Sequence, residues 1–453
     1  MSRLAMARYP SPASPPHRPW PELLTGLTGA WLGLALLKFG DPVVFDWLVP
    51  PPANLAEFIA ISWPISWGYA VIALLAIGAI IAGWSCPKRL PWFAWLPLAW
   101  LGWQLVAASQ TIDARLTGVT LKHFAACIFC FYLGLLVLPR PASRRFWGAL
   151  LVGFLLVLWL GFDQHYGGLD ATRKLFYELP NWRKLPPEYL KRIASNRIFS
   201  TLVYPNALAA VILLLLPPLV TLLWRSCQRW SFRWRGVTVG LFAYSGLACL
   251  VWSGSKAGWL VALVLVWLCV WQLPLGRRLK TGLIAAALVF GITGFVLRYA
   301  GYFERGATSV VARFDYWRAA LTVTGHHPWL GTGPGTFSVA YRAIKPPGAE
   351  MAHLTHNDYL EQACDSGIPG FLVYSGFWIA SLIHLYRHNR RSFDWFHFAV
   401  WLGLLGWSLQ ALVEFSLYIP ASAWTALTVL GMQLRRCAFE NQIDNLNPGG
   451  YSP

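Results

Sequence analysis

Residues 203–224 read VYPNALAAVILLLLPPLVTLLW, and the charged residues that follow are Arg225, Arg229, Arg233 and Arg235. A helix of that length spans about 33 Å, enough for the ~30 Å hydrocarbon layer of a bilayer. An apolar run closed by a cluster of basic residues is the mark of a membrane crossing whose basic end faces the cytoplasm. The pattern recurs along the chain. Segments of similar character lie at about 23–40, 66–84, 91–110, 118–138, 146–163, 236–253, 257–275, 281–300, 368–386, 398–416 and 419–434. Further basic clusters sit between them: Lys88 and Arg89; Arg140, Arg144 and Arg145; Arg277, Arg278 and Lys280; Arg387, Arg390 and Arg391; Arg435 and Arg436. With a cytoplasmic N-terminus all of these clusters fall inside, together with Arg3, Arg8 and Arg18, whereas one misplaced crossing would invert every later one.

Composition agrees. Of 453 residues 56% are hydrophobic and 12% charged, half the charge of a soluble domain, and the mean hydropathy is +0.47. That excludes a water-soluble enzyme, a disordered chain and a collagen-like one. The net charge of +18 would suit nucleic acid, but the basic residues are confined to short connectors rather than a binding stripe, so no nucleic-acid partner is expected. The expected fold is all-α: a polytopic membrane protein with about twelve transmembrane helices and two long periplasmic loops carrying short helices. The expected divisions are a cytoplasmic tail at 1–22, helices one to five in 23–163, a first loop at 164–202, and helices six to nine in 203–300. A second loop at 301–367, helices ten to twelve in 368–434 and a cytoplasmic tail at 435–453 complete the chain. The proline-rich beginning and the closing Asn447-Pro448-Gly449-Gly450 are read as tails, with no removable signal peptide. Of the eight cysteines only Cys364 is expected outside, so no disulfide framework follows. Cys127 and Cys130 read as small core residues.

Within the spans ionisable groups are scarce, with Lys38, Lys122 and Glu414 near span ends. Ion-coupled transporters bury charge at mid-membrane; here charge gathers in the two long loops, which favours chemistry at the outer surface. In the first loop, Arg173, Lys174, Arg183, Lys184, Lys191 and Arg192 form a basic stretch suited to anionic headgroups. Arg197 differs. It stands just before a span that opens Tyr204-Pro205-Asn206, where a guanidinium either binds phosphate bidentately or is one more loop cation. Ser253-Gly254-Ser255-Lys256 is a tight external turn whose lysine either snorkels to the interface or meets a phosphate; it lacks the P-loop spacing.

The second loop carries most of the signal. Ala312–Val323 reads as an amphipathic helix with Arg313 and Trp317 one turn apart. The glycine-rich stretch His326-His327-Pro328-Trp329-Leu330-Gly331-Thr332-Gly333-Pro334-Gly335 follows. Thr355-His356-Asn357-Asp358-Tyr359-Leu360-Glu361 then resembles a capping box from Thr355 to Asp358, with a stop at Gly367 and Pro369. This would put His356 in the first turn of a short helix, whose positive end disfavours imidazolium and leaves a ring able to accept a proton. A plain surface histidine is the other reading. His326, His327, His353 and His356 have no zinc-ligand spacing, so no metal is expected.

Taken together, an arginine before a Pro-Asn span, a Ser-Gly-Ser-Lys turn, His-Pro-x-x-Gly-x-Gly-Pro-Gly-x-Phe and His-Asn-Asp-Tyr-Leu-Glu before Gly-Ile-Pro-Gly resemble the O-antigen ligase and polymerase superfamily over residues 195–370. The resemblance implies a bacterial inner-membrane glycosyltransferase with both termini cytoplasmic and a periplasmic active site. Its donor would be a glycan on undecaprenyl diphosphate and its acceptor lipid A-core, another glycan or a protein, with no cofactor, no metal and membrane lipids around it. A polymerase of the same family and a lipid-linked glycan flippase are the alternatives. Carried over by motif, His356 is similar to the histidine that activates the acceptor, Arg197 to the arginine that holds the diphosphate, and Arg313 to a second essential arginine. Lys256, where relatives often carry arginine, Asn206, Asn357 and Tyr359 complete the candidate set as substrate-binding residues.

Overall fold

The structure, a computed structural model, describes residues 19–83, 87, 89–138, 143–178, 182–184, 190, 194–304 and 308–446. The beginning through Arg18, the end from Asn447, and Cys86, Lys88, Arg140, Lys191 and Arg192 lie outside the described residues.

Among the described residues sixteen α-helices have given bounds, in the order α1 (Pro19–Lys38), α2 (Leu55–Ala60), α3 (Ile65–Ala82), α4 (Leu96–Ala107), α5 (Ala114–Tyr132), α6 (Arg144–Asp163), α7 (Leu169–Glu178), α8 (Pro205–Ser226), α9 (Phe232–Trp252), α10 (Lys256–Gln272), α11 (Arg277–Glu304), α12 (Thr308–His326), α13 (Phe337–Ile344), α14 (Asp358–Arg391), α15 (Trp395–Gln410) and α16 (Pro420–Leu446). Among the described residues there is no strand. Each expected apolar segment overlaps a helix. Seven stretches, including α3, α8, α9, α11 and α14, are long and apolar enough to cross a membrane, and α10 is a shorter apolar helix. The sequence sets the helix starts locally: Asp113 caps α5 through Arg115 N and Leu116 N, Asp394 caps α15, and Ser255 caps α10 through Gly258 N.

The two long loops carry short helices as expected, and the boundary at 434 differs. The first long loop contains α7, which continues α6 past a kink at Gly167 (φ +121°). Helix α14 begins ahead of 368 because residues 358–366 are already helical, and Gly367 (φ +72°) bends the chain before it runs on. Helix α16 continues past 434 into the expected tail, where the buried Arg435 donates to Leu135 O at 3.0 Å.

Lipid offers no hydrophobic drive between helices, so close packing of small residues must hold them. Gly153 on α6 faces Gly33 on α1, and a Cβ added to Gly153 would lie 2.5 Å from Gly33 Cα. Gly403 on α15 rests on Leu214 O of α8, and Gly431 on α16 rests on Phe131 O of α5. At the centre a polar network joins three elements. Trp100 Nε1 and Gln104 Nε2 of α4 donate to Gln362 Oε1 at 2.9 and 2.8 Å, and Gln362 Nε2 donates to Tyr418 OH at 3.2 Å. By contrast α11 is almost wholly exposed, showing Leu279, Val289, Phe290, Ile292 and Leu297 outward, as a lipid-facing helix does.

Replacing Gly153 with leucine forces α1 and α6 apart. The thermal midpoint of the detergent-solubilised protein is expected to fall, by an overpacking cost of about 1–3 kcal/mol or more. Gly148→Leu, on the same helix with nothing within 4 Å of the added Cβ, leaves the midpoint nearly unchanged.

Candidate active site

His356 does not lie in a helical turn. The cap of α14 is Asn357, whose Oδ1 accepts from Tyr359 N at 3.0 Å and Leu360 N at 3.1 Å. The expected Thr355–Asp358 box is absent because Asp358 is fully buried and turned inward to accept from Leu417 N at 2.8 Å. Thr355 N donates instead to Glu361 Oε2 at 2.5 Å. His356 thus stands one residue before the cap with φ +53°, a left-handed conformation unusual outside glycine. Its neighbours hold it there: Thr355 Oγ1 donates to Asn357 O at 2.8 Å and accepts from Asn357 N at 3.2 Å.

Placed so, the imidazole is governed by Glu414 rather than by a helix end. Glu414 follows α15 in a turn, with 1% of its side chain exposed. His356 Nδ1 lies 2.8 Å from Glu414 Oε1, Arg313 Nη2 lies 3.3 Å from Oε2, and Asn206 Nδ2 donates to the same Oε2. Burial takes water from this carboxylate, and the contacts with His356, Arg313 and Asn206 replace it. A carboxylate on Nδ1 keeps the ring proton there and leaves Nε2 as the basic nitrogen. The ring is stacked on Tyr316 (centroids 5.8 Å, 24°) and meets the edge of Phe415 (4.8 Å, 60°).

These groups line a cavity of about 310 Å³ together with Arg197, Lys256 and Gly254 on one part of the wall and Phe45, Met351 and His353 on another. Arg197 Nε donates to Ser253 O at 2.7 Å and Nη2 to Asn206 Oδ1 at 2.9 Å. Gly254 (φ +62°) lets the turn pass so near that an added Cβ would sit 3.1 Å from Arg197 Nε. Lys256 rests on two rings: its ammonium lies 3.7 Å from the Tyr302 ring centre and 5.1 Å from that of Tyr299. His353 packs on Phe45 with centroids 4.7 Å apart, and burial, then Arg342, holds it below the usual histidine range.

The structure therefore brings together Arg197, Asn206, Lys256, Arg313 and His356, and adds Glu414, which sequence reasoning placed only near a span end. The signal for Glu414 was present, since it is the sole acidic residue between Asp394 and Glu440. Asn357 and Tyr359 do not line the cavity. Asn357 is a cap, and Tyr359 OH pairs with Ser408 Oγ at 2.6 Å. His326 and His327 are exposed and also apart from it. The glycine-rich stretch is a clasp: Gly335 N donates to Asp365 Oδ2 at 2.6 Å and Thr332 N to Cys364 O at 3.0 Å, while Gly331 presses on the Asp365 backbone. It ties the end of α12 to α14 and so fixes Arg313 relative to His356.

Residues 241–375 match the family model described as O-antigen ligase. The match runs from α9 into α14 and includes Lys256, Arg313 and His356, with Arg197, Asn206 and Glu414 outside it. It is consistent with the O-antigen ligase superfamily and supports a membrane protein of ligase or polymerase type. No curated protein matches the chain significantly.

Glu414→Gln leaves Arg313 and His356 without their buried partner, a cost of about 3–5 kcal/mol at neutral pH. In thermal scans at pH 7 the midpoint of Glu414→Gln is expected to lie well below that of wild type. An unchanged midpoint would contradict the buried carboxylate.

Proposed function

We propose that this protein moves a glycan from undecaprenyl diphosphate to an acceptor hydroxyl, with lipid A-core favoured, at the periplasmic face of the bacterial inner membrane. One observation carries the reading: a histidine–carboxylate pair shares a single cavity with two arginines and a lysine. The basic clusters of the short connectors lie in the cytoplasm on this reading, with both termini, and the chain crosses twelve times.

The carrier's diphosphate sits among Arg197, Arg313 and Lys256 while its polyprenyl tail stays in the bilayer. His356 Nε2 takes the proton of the acceptor hydroxyl as its oxygen attacks the anomeric carbon. The bond from that carbon to the diphosphate oxygen breaks on the opposite face, its electron pair leaves with the diphosphate, and the configuration inverts. Arg197 and Arg313 neutralise the charge that develops on the departing oxygen, stabilisation of the oxyanion type. The proton ends on an imidazolium beside Glu414, whose charge offsets it. Guanidinium groups suit this task because their fork matches phosphate oxygens in pairs. Lysine at 256 supplies a point charge without the fork, and its place over two tyrosine rings keeps it at the cavity wall.

The test is transfer by purified full-length protein from a synthetic undecaprenyl-diphosphate glycan to lipid A-core in EDTA. His356→Ala is expected to lower the rate by about 10²–10⁴-fold, the worth of general-base help, and Arg313→Lys to lower it with unchanged membrane insertion. Growth of the donor chain without transfer to core would make the protein a polymerase. No product from any acceptor would sink the transferase reading.

A further inference from the structure

Asn206 is the second residue of α8, directly after Pro205, and its amide is engaged at both ends. Oδ1 accepts from Arg197 Nη2 at 2.9 Å, and Nδ2 donates to Glu414 Oε2. No other orientation of the amide pairs both neighbours, because Arg197 has only donors and ionised Glu414 only acceptors. Glu414 Oε1 in turn meets His356 Nδ1 at 2.8 Å. An unbroken line of bonds therefore runs from the 194–204 segment through α8 and the turn after α15 to the residue ahead of α14.

We infer that Asn206 is a positioning residue that links the diphosphate-holding Arg197 to the His356–Glu414 pair, rather than a contact to the glycan. It acts through its neighbours in two ways. It fixes the Glu414 carboxylate in the plane that faces His356, and it turns the guanidinium of Arg197 towards the cavity. The charged and titratable groups around this link are Arg197, Lys256 on α10, Arg313 on α12, His356, and Asp358 at the start of α14, which lies within electrostatic reach of Glu414. For its catalytic consequence the inference rests on the transferase reading. The bonds themselves do not.

Asparagine is required because the position must accept on one side and donate on the other. Aspartate has the same shape but donates only when protonated. In Asn206→Asp two carboxyls meet where an amide met a carboxylate, and like charges at that separation hold a proton between them until higher pH. With that proton the variant reproduces the native bonds; without it the two groups repel and His356 loses its orientation.

The experiment measures transfer from pH 5.5 to 8.5 by wild type, Asn206→Asp and Asn206→Ala. The ratio of Asn206→Asp to wild type is expected to rise at least about tenfold from the alkaline to the acid end, as protonation of the pair restores the donor, while the Asn206→Ala ratio stays low and flat. A flat ratio for Asn206→Asp would overturn the inference, since a merely structural role does not titrate in that window. Should Asn206→Asp fail to fold, the pH midpoint of carbethoxylation at His356, read by mass spectrometry, replaces it. Arg197→Ala is then expected to move that midpoint in the wild-type background and to add nothing in Asn206→Ala, and additive shifts would overturn the link. If wild type transfers nothing, the transferase reading falls, and the His356 midpoints still decide whether the bonds connect.

Discussion

A carboxylate with almost no access to water keeps its charge only where its surroundings replace the hydration it has lost. Glu414 is held in this way, by His356 on one oxygen and by Arg313 and Asn206 on the other. Its three partners come from three separate parts of the chain, so the pairing constrains α8, α12 and the approach to α14 at once. Remove the charge and none of the three retains its reason to face the others. The arrangement of the cavity is thus the solution to one electrostatic requirement, and the cations that line it are placed by that requirement as much as by their own helices.

The scaffold around this point is rigid for reasons of its own. Glycines on α1, α6, α15 and α16 let backbones touch, and the Gln362 network pins α14 to α4 and Tyr418. The clasp at 331–335 fits only because it carries no side chain where it meets Asp365. A conformation as unfavourable as that of His356 survives where bonds on both sides over-determine it, and Thr355 and Asn357 supply them.

Much of this was legible in the sequence. Apolar segments of span length are read from composition alone, and each of the twelve overlaps a helix. Arg197, Lys256, Arg313 and His356 stand out as polar residues beside apolar segments, and all four reach the cavity. Glu414 did not stand out, because one acid at the end of an apolar run looks like an interfacial marker and its histidine is 58 positions away. Asn357 and Tyr359 were drawn into the site by their nearness to His356. Thr355, Asn357 and Asp358 are all able to cap a helix, and only the inward burial of Asp358 decides among them. Proximity along the chain is a poor guide where a cap intervenes, since the backbone turns there and neighbouring side chains part company.

The exposed helix α11 has 28 residues, about 42 Å of helix, with Arg277, Arg278 and Lys280 at one end and an apolar middle turned outward. Its far end carries Tyr299 and Tyr302, the rings against which Lys256 rests, and Tyr302 also bonds Ser309 of α12. Through these rings a helix whose face is turned outward touches the lysine that lines the cavity. The outermost helix thus borders the cationic wall, and a substitution on α11 far from the reacting groups can be felt there.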